Sequence, residues 1–114
     1  MTAPAVTYQE AGRRLLAQAR AELDAGDLRQ ASEKGWGAAA QSVKAAAQQR
    51  GWPHNHHRAL FVAVRDLSNE AGDPEIHDLF MFPNGLHVNF YENTFDADKV
   101  ARNLDRTEQF IAKL

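Results

Sequence analysis

A chain of 114 residues holds one ordinary domain with one core and is too short for two independent ones. It contains no cysteine, which excludes disulfides, thiolate nucleophiles and cysteine-built zinc or iron–sulfur sites, and suits a reducing, cytoplasmic setting. The net charge of −2 argues against a general polyanion binder, which carries a clear basic excess.

The N-terminus has no basic segment followed by an apolar run, and no stretch approaches the roughly 18 apolar residues of a membrane span. The chain is therefore expected to be neither secreted nor membrane-spanning. The charges are unevenly placed. From Lys34 through Arg65 there are five basic residues and no acid, and from Asp66 through Asp98 eight acids and no Lys or Arg. Two blocks of this kind either pair loosely across the fold or leave a basic patch for a phosphate or for a second subunit.

In chain order the pattern predicts about five helices in a single all-α domain spanning residues 1–114, with residues 1–6 as a flexible tail. Thr7 and Glu10 have the spacing of a capping box. Leu16, Ala19 and Leu23 follow at helical spacing, and Gly26 can end the first helix. Asp27 caps a second, running to about Arg50. It carries Ala31, Gly35, Ala38, Ser42 and Ala45 along one face, so it is expected to lie centrally or at a subunit contact. Trp36 is read as core.

Gly51-Trp52-Pro53 ends the second helix, and Asn55 is the expected cap of a third that stops at Gly72. Asp73-Pro74-Glu75 is a strong helix start. Pro83 cannot bond back to Leu79, so this fourth helix is expected to kink, or to stop and restart. A fifth helix, capped by Thr94 or Asp96, shows Val100, Leu104, Thr107, Ile111 and Leu114 at core spacing.

The segment Arg50 to Arg58 holds two guanidinium groups and three imidazoles (His54, His56 and His57) within nine residues. Imidazole exchanges a proton near neutral pH, and arginine grips a phosphate with two parallel hydrogen bonds. The pattern points to phosphate binding or phosphodiester cleavage. With Asn55 as cap, His56 and His57 would sit at a helix start, where the dipole disfavours imidazolium and exposed N–H groups favour an anion. His54, His56 and His57 are also possible zinc ligands with His77 or His87, but imidazoles so close in sequence rarely converge on one ion, and no metal or other cofactor is expected. Farther on, His87 and Tyr91 share a helical face with Asn84 one turn earlier, suited to a base or a phosphate.

Three blocks, Ala31 to Ala40, Arg50 to Arg58 and Leu86 to Glu92, together resemble the small PaREP-type proteins of archaea and some bacteria, in the HEPN (higher eukaryote and prokaryote nucleotide-binding) superfamily. The likeness runs from about Tyr8 to Leu114. It implies an up-and-down bundle, commonly a homodimer, that handles a nucleotide or RNA in a cleft between helices or subunits. Many such relatives are metal-independent ribonucleases that use Arg, four to six residues, then His, a spacing met by Arg50 with His56 or His57. Others only bind nucleotides or partner a nucleotidyltransferase. The resulting expectation is a nucleotide- or RNA-binding domain with His57, Arg50 and His87 as catalytic candidates and His54, His56, Arg58, Asn84 and Tyr91 as ligand contacts. The competing expectation is a non-catalytic dimeric or antitoxin-like module that docks protein through the small-residue face of the second helix and the acidic segment.

Overall fold

The computed structural model describes residues 4–114. Six helical segments and no strand are found among the described residues: α1 (Pro4–Asp24), α2 (Leu28–Arg50), α3 (His57–Ala71), α4 (Pro74–Leu79), α5 (Met81–Glu92) and α6 (Ala97–Ala112). The all-α bundle is as expected. Of the expected tail, residues 1–3 lie outside the described residues and Pro4 to Val6 belong to α1, so Thr7 is inside that helix and not at its cap.

Local chemistry sets most boundaries. Asp27 Oδ1 accepts from the Gln30 N–H at 3.1 Å and starts α2. Gly51 and Gly72, at φ 72° and 62°, end α2 and α3 in the left-handed conformation that L side chains resist. The start of α3 corrects the sequence reading. Its cap is His56, whose Nδ1 accepts from the Ala59 N–H at 3.3 Å, while Asn55 stays outside the helix. Asp73 and Asp96 cap α4 and α6 through bonds from Glu75 N (3.1 Å) and Lys99 N (2.8 Å).

The expected fourth helix stops and restarts at Phe80. Pro83 then falls in the first turn of α5, where a missing N–H costs nothing because that turn has no carbonyl to bond back to.

Helix α2 is central and packs against α1, α3, α5 and α6. Its small residues are used within the chain: a Cβ on Gly35 would come within 2.6 Å of Leu104 Cδ2 and 2.8 Å of Leu86 Cδ1. Ala31 and Ala38 are fully buried. From Ala31 to Ala38 the small-residue face is therefore covered within the chain. One side of α2 meets Leu60, Val64, Leu67, Ile76 and Phe110; another meets Leu86, Val100 and Leu104.

The two charge blocks meet at few points. Arg50 pairs with Glu70 and Arg65 with its neighbour Asp66, but Lys34 reaches Glu22, and Asp73 and Glu75 reach Lys113.

A buried polar bridge locks α5 in place. Asn89, fully buried, donates through Nδ2 to Ser32 Oγ at 2.9 Å, and its Oδ1 accepts the N–H groups of Thr94 and Phe95, each at 2.9 Å. Asn89→Ala removes all three bonds and leaves their partners unpaired. It should lower unfolding stability by about 2–4 kcal/mol in urea titration; a loss under about 0.5 kcal/mol would show that the bridge is not structural.

Candidate nucleotide site

The aromatic residues of the middle helices converge on one place. His57 is the first residue of α3 and, although exposed, lays its ring on the Trp36 indole of α2, with centroids 4.9 Å apart and planes 27° from parallel. His87 of α5 lies 4.8 Å from the same indole and 5.2 Å from His57. The backbones of α3 and α5 do not approach within 8 Å (Cα to Cα), so the two helices meet here through these side chains, resting on Trp36 of α2. Tyr91 stands edge-on to His87 at 5.4 Å, and Phe61 flanks His57 at 5.3 Å. Beneath them Phe80 joins the Trp36 ring to Phe110 in the core.

The result is a shelf of π surfaces whose underside, Trp36 and Phe80, is buried and whose outer members His57, Phe61 and Tyr91 are exposed. Trp36 is core, as its pattern predicts, and it also carries the site. Its burial at 6% exposure fixes the height of both imidazoles. Tyr91 (68%), Met81 (66%) and Val88 (49%) are exposed along α5, an apolar face where a helix of this size ordinarily presents polar groups. The spacing of Met81, Val88 and Tyr91 at i, i+7 and i+10 was the available signal for this surface, as was Phe61 one turn after His57.

The other candidates from the sequence lie elsewhere. Arg50 is fastened to the end of α3: its Nε and Nη2 donate to the Glu70 carboxylate at 2.7–3.0 Å, and Nη1 donates to the Ala46 carbonyl at 2.9 Å. The guanidinium also lies 5.4 Å from the Trp52 ring centroid. These bonds hold Glu70 below the usual carboxylate range. Arg50 thus braces α2 against α3 and is not grouped with His57. His54 donates from Nδ1 to the Trp52 carbonyl at 2.8 Å and meets Tyr8 edge-on at 5.7 Å. His56 and Arg58 line a separate cleft with Trp52 and Val62. Asn84 is half-buried one turn before His87. Among the described residues no three His, Cys, Asp or Glu side chains gather as a metal cluster.

The stack disfavours a charged His57. Partial desolvation of the His57 ring, which lies on Trp36, pushes its pKa below the ordinary 6.5, and His87 lowers it further. His87 Nδ1 is buried with no hydrogen-bond partner among the described residues. Because folding depresses the His57 pKa, the unfolded chain takes up this proton first. His57 therefore contributes stability above about pH 6.5, and the contribution is lost as pH falls through the lower folded value. In an NMR titration His57 should titrate below 6.5 and move part of the way back in His87→Gln, since desolvation is the larger cause. A His57 value above 6.5 would contradict this electrostatic account.

The fold recurs outside this chain. A crystal structure of a protein from Sulfolobus solfataricus superposes with a TM-score of 0.74 at 23% identity, covering 98% of this chain and 93% of that one. No curated protein matches the sequence. No helix among the described residues is long and apolar enough to cross a membrane. The pattern of the archaeal PaREP1/PaREP8 family matches residues 7–111, and the chain belongs to that family.

Proposed function

We propose that this protein binds nucleotides or single-stranded RNA as a HEPN-like domain, stacking a base on the imidazoles of His57 and His87 with the upright Tyr91 ring as a side wall. The observation that carries this reading is the convergence of His57 and His87, thirty positions apart in sequence, on one indole within 4.9 Å. Every nucleobase has a π face, so a rigid aromatic shelf binds single strands with little sequence preference, and each stacked base contributes about 1–3 kcal/mol. Imidazole N–H groups beside the stack suit base edges and ribose hydroxyls.

Binding is better supported than cleavage. Two facing imidazoles have the composition of a general base and general acid for attack by a ribose 2′-hydroxyl. The arginine that would stabilise the developing charge is missing from the group, because Arg50 is engaged with Glu70 and residues 80–82, upstream of His87, are Phe, Met and Phe. A ribonuclease acting here would use His57 and His87 with charge stabilisation drawn from another source, such as a second subunit.

One observation favours the second reading, a non-catalytic dimeric or antitoxin-like module with a protein partner, a nucleotidyltransferase among the candidates. The exposed Met81, Val88 and Tyr91 form an apolar strip of the kind that partners cover. On this reading α5, and not the small-residue face of α2, is the docking surface.

The two readings separate by fluorescence anisotropy with a labelled single-stranded RNA. Tyr91→Ala and His57→Ala should each weaken binding about tenfold while the fold is retained. Equal affinity of both variants and the parent would sink the nucleotide reading. If the parent cuts RNA, His57→Ala should slow cleavage by about a hundredfold or more; unchanged cutting would remove the imidazole mechanism.

A further inference from the structure

The flank of α3 turned away from His57 holds a cleft of about 280 Å3. Trp52, Pro53 and Val62 form its apolar floor, and His56, Arg58 and Asp66 its polar rim. At 100° per residue Val62 and Asp66 lie about 140° and 180° around α3 from His57, so this cleft and the shelf are separate places.

The chemistry of the rim is polarised. Arg58, Val62 and Asp66 follow one another at i, i+4 and i+8, which spreads the two charges about 12 Å along the helix with an apolar step between them. A cation at one end, a flat apolar floor and a carboxylate at the other match a nucleotide from its phosphate to the outer edge of its base. His56 adds a donor beside Arg58. Its Nδ1 is committed to the Ala59 N–H, so its own proton is on Nε2.

We propose that this cleft is a second nucleotide subsite that selects guanine, with the phosphate on Arg58 and the base on Trp52, Pro53 and Val62. The Asp66 carboxylate then accepts the N1–H and exocyclic amino N–H of guanine, a paired arrangement that a carboxylate's two oxygens suit. Adenine and cytosine present one amino group there. Uracil sets carbonyl oxygens on both sides of its single N–H, and these repel the carboxylate. Asp66 Oδ1 also receives the neighbouring Arg65 at 3.1 Å, an exposed pair of the kind that contributes little and yields readily to a ligand. The proposal rests on the nucleotide reading above and extends it: a strand that places one base on the shelf can place another in the cleft across the start of α3.

The chain has two tryptophans, one at each place, so the indole N–H signals in a 15N NMR spectrum report the two subsites separately once Trp52→Phe has assigned them. GMP should shift both signals, with an affinity read at Trp52 at least about tenfold above that for UMP. Asp66→Asn should abolish this preference and Arg65→Gln should keep it. Val62→Glu should silence the Trp52 response and leave that of Trp36. A Trp52 signal that stays still while the Trp36 signal saturates overturns the second subsite and leaves the shelf reading standing. Equal response at Trp52 to GMP and UMP overturns the selection of guanine. If neither signal moves with any nucleotide, both readings fall together.

Discussion

The Trp36 indole supports the arrangement from below. Most of it is sealed in the core against Phe80, which in turn packs on Phe110, while the imidazoles of α3 and α5 rest against it. Two helices that make no backbone approach to each other are thereby held at a fixed separation. A ring placed on such a support loses little conformational freedom when a ligand arrives. The closeness of α2 to its neighbours makes this possible. Gly35, next in sequence, lets Leu86 and Leu104 come within a distance that any side chain would contest, and Leu86 is the residue before His87.

Electrostatically the molecule separates bracing from binding. Arg50, the most completely bonded arginine of the histidine-rich segment, joins the ends of α2 and α3 through Glu70 and a backbone carbonyl. His56 serves as a helix cap, and His54 is held to the turn by a carbonyl. His57 and Arg58 are left on different flanks of α3, about 100° apart around the helix. Partial desolvation and the neighbouring His87 lower the His57 pKa, which suits stacking and base-edge hydrogen bonds better than phosphate capture. A segment whose composition suggests a phosphate cage thus forms a structural corner that presents one ring to a shelf and one guanidinium to a cleft.

Much of the fold was legible in the sequence because local signals are short-range. The caps at Asp27, Asp73 and Asp96, the stops at Gly51 and Gly72, and the restart near Pro83 all depend on residues within one turn. The cap at His56 was missed because imidazole Nδ1 performs the task usually given to Asn, and Asn55 stood beside it. The site was legible only in part. His57, His87 and Tyr91 stood out as titratable or aromatic residues, but their meeting depends on how α3 and α5 lie on α2, which no spacing within one helix encodes. For the same reason Arg50 looked available, since its partner Glu70 lies twenty residues away. The helix pattern marked Trp36 as core and had no means of showing that imidazoles from two other helices rest on it.

The central claim is that a base lies on the rings of His57 and His87, against the edge-on ring of Tyr91. Intermolecular nuclear Overhauser effects between a saturating ribonucleotide and the protein test it most directly. The account predicts cross-peaks from the base protons to the ring protons of Tyr91 and His57. Cross-peaks confined to other surfaces, or none from a ligand shown to be bound, would contradict it.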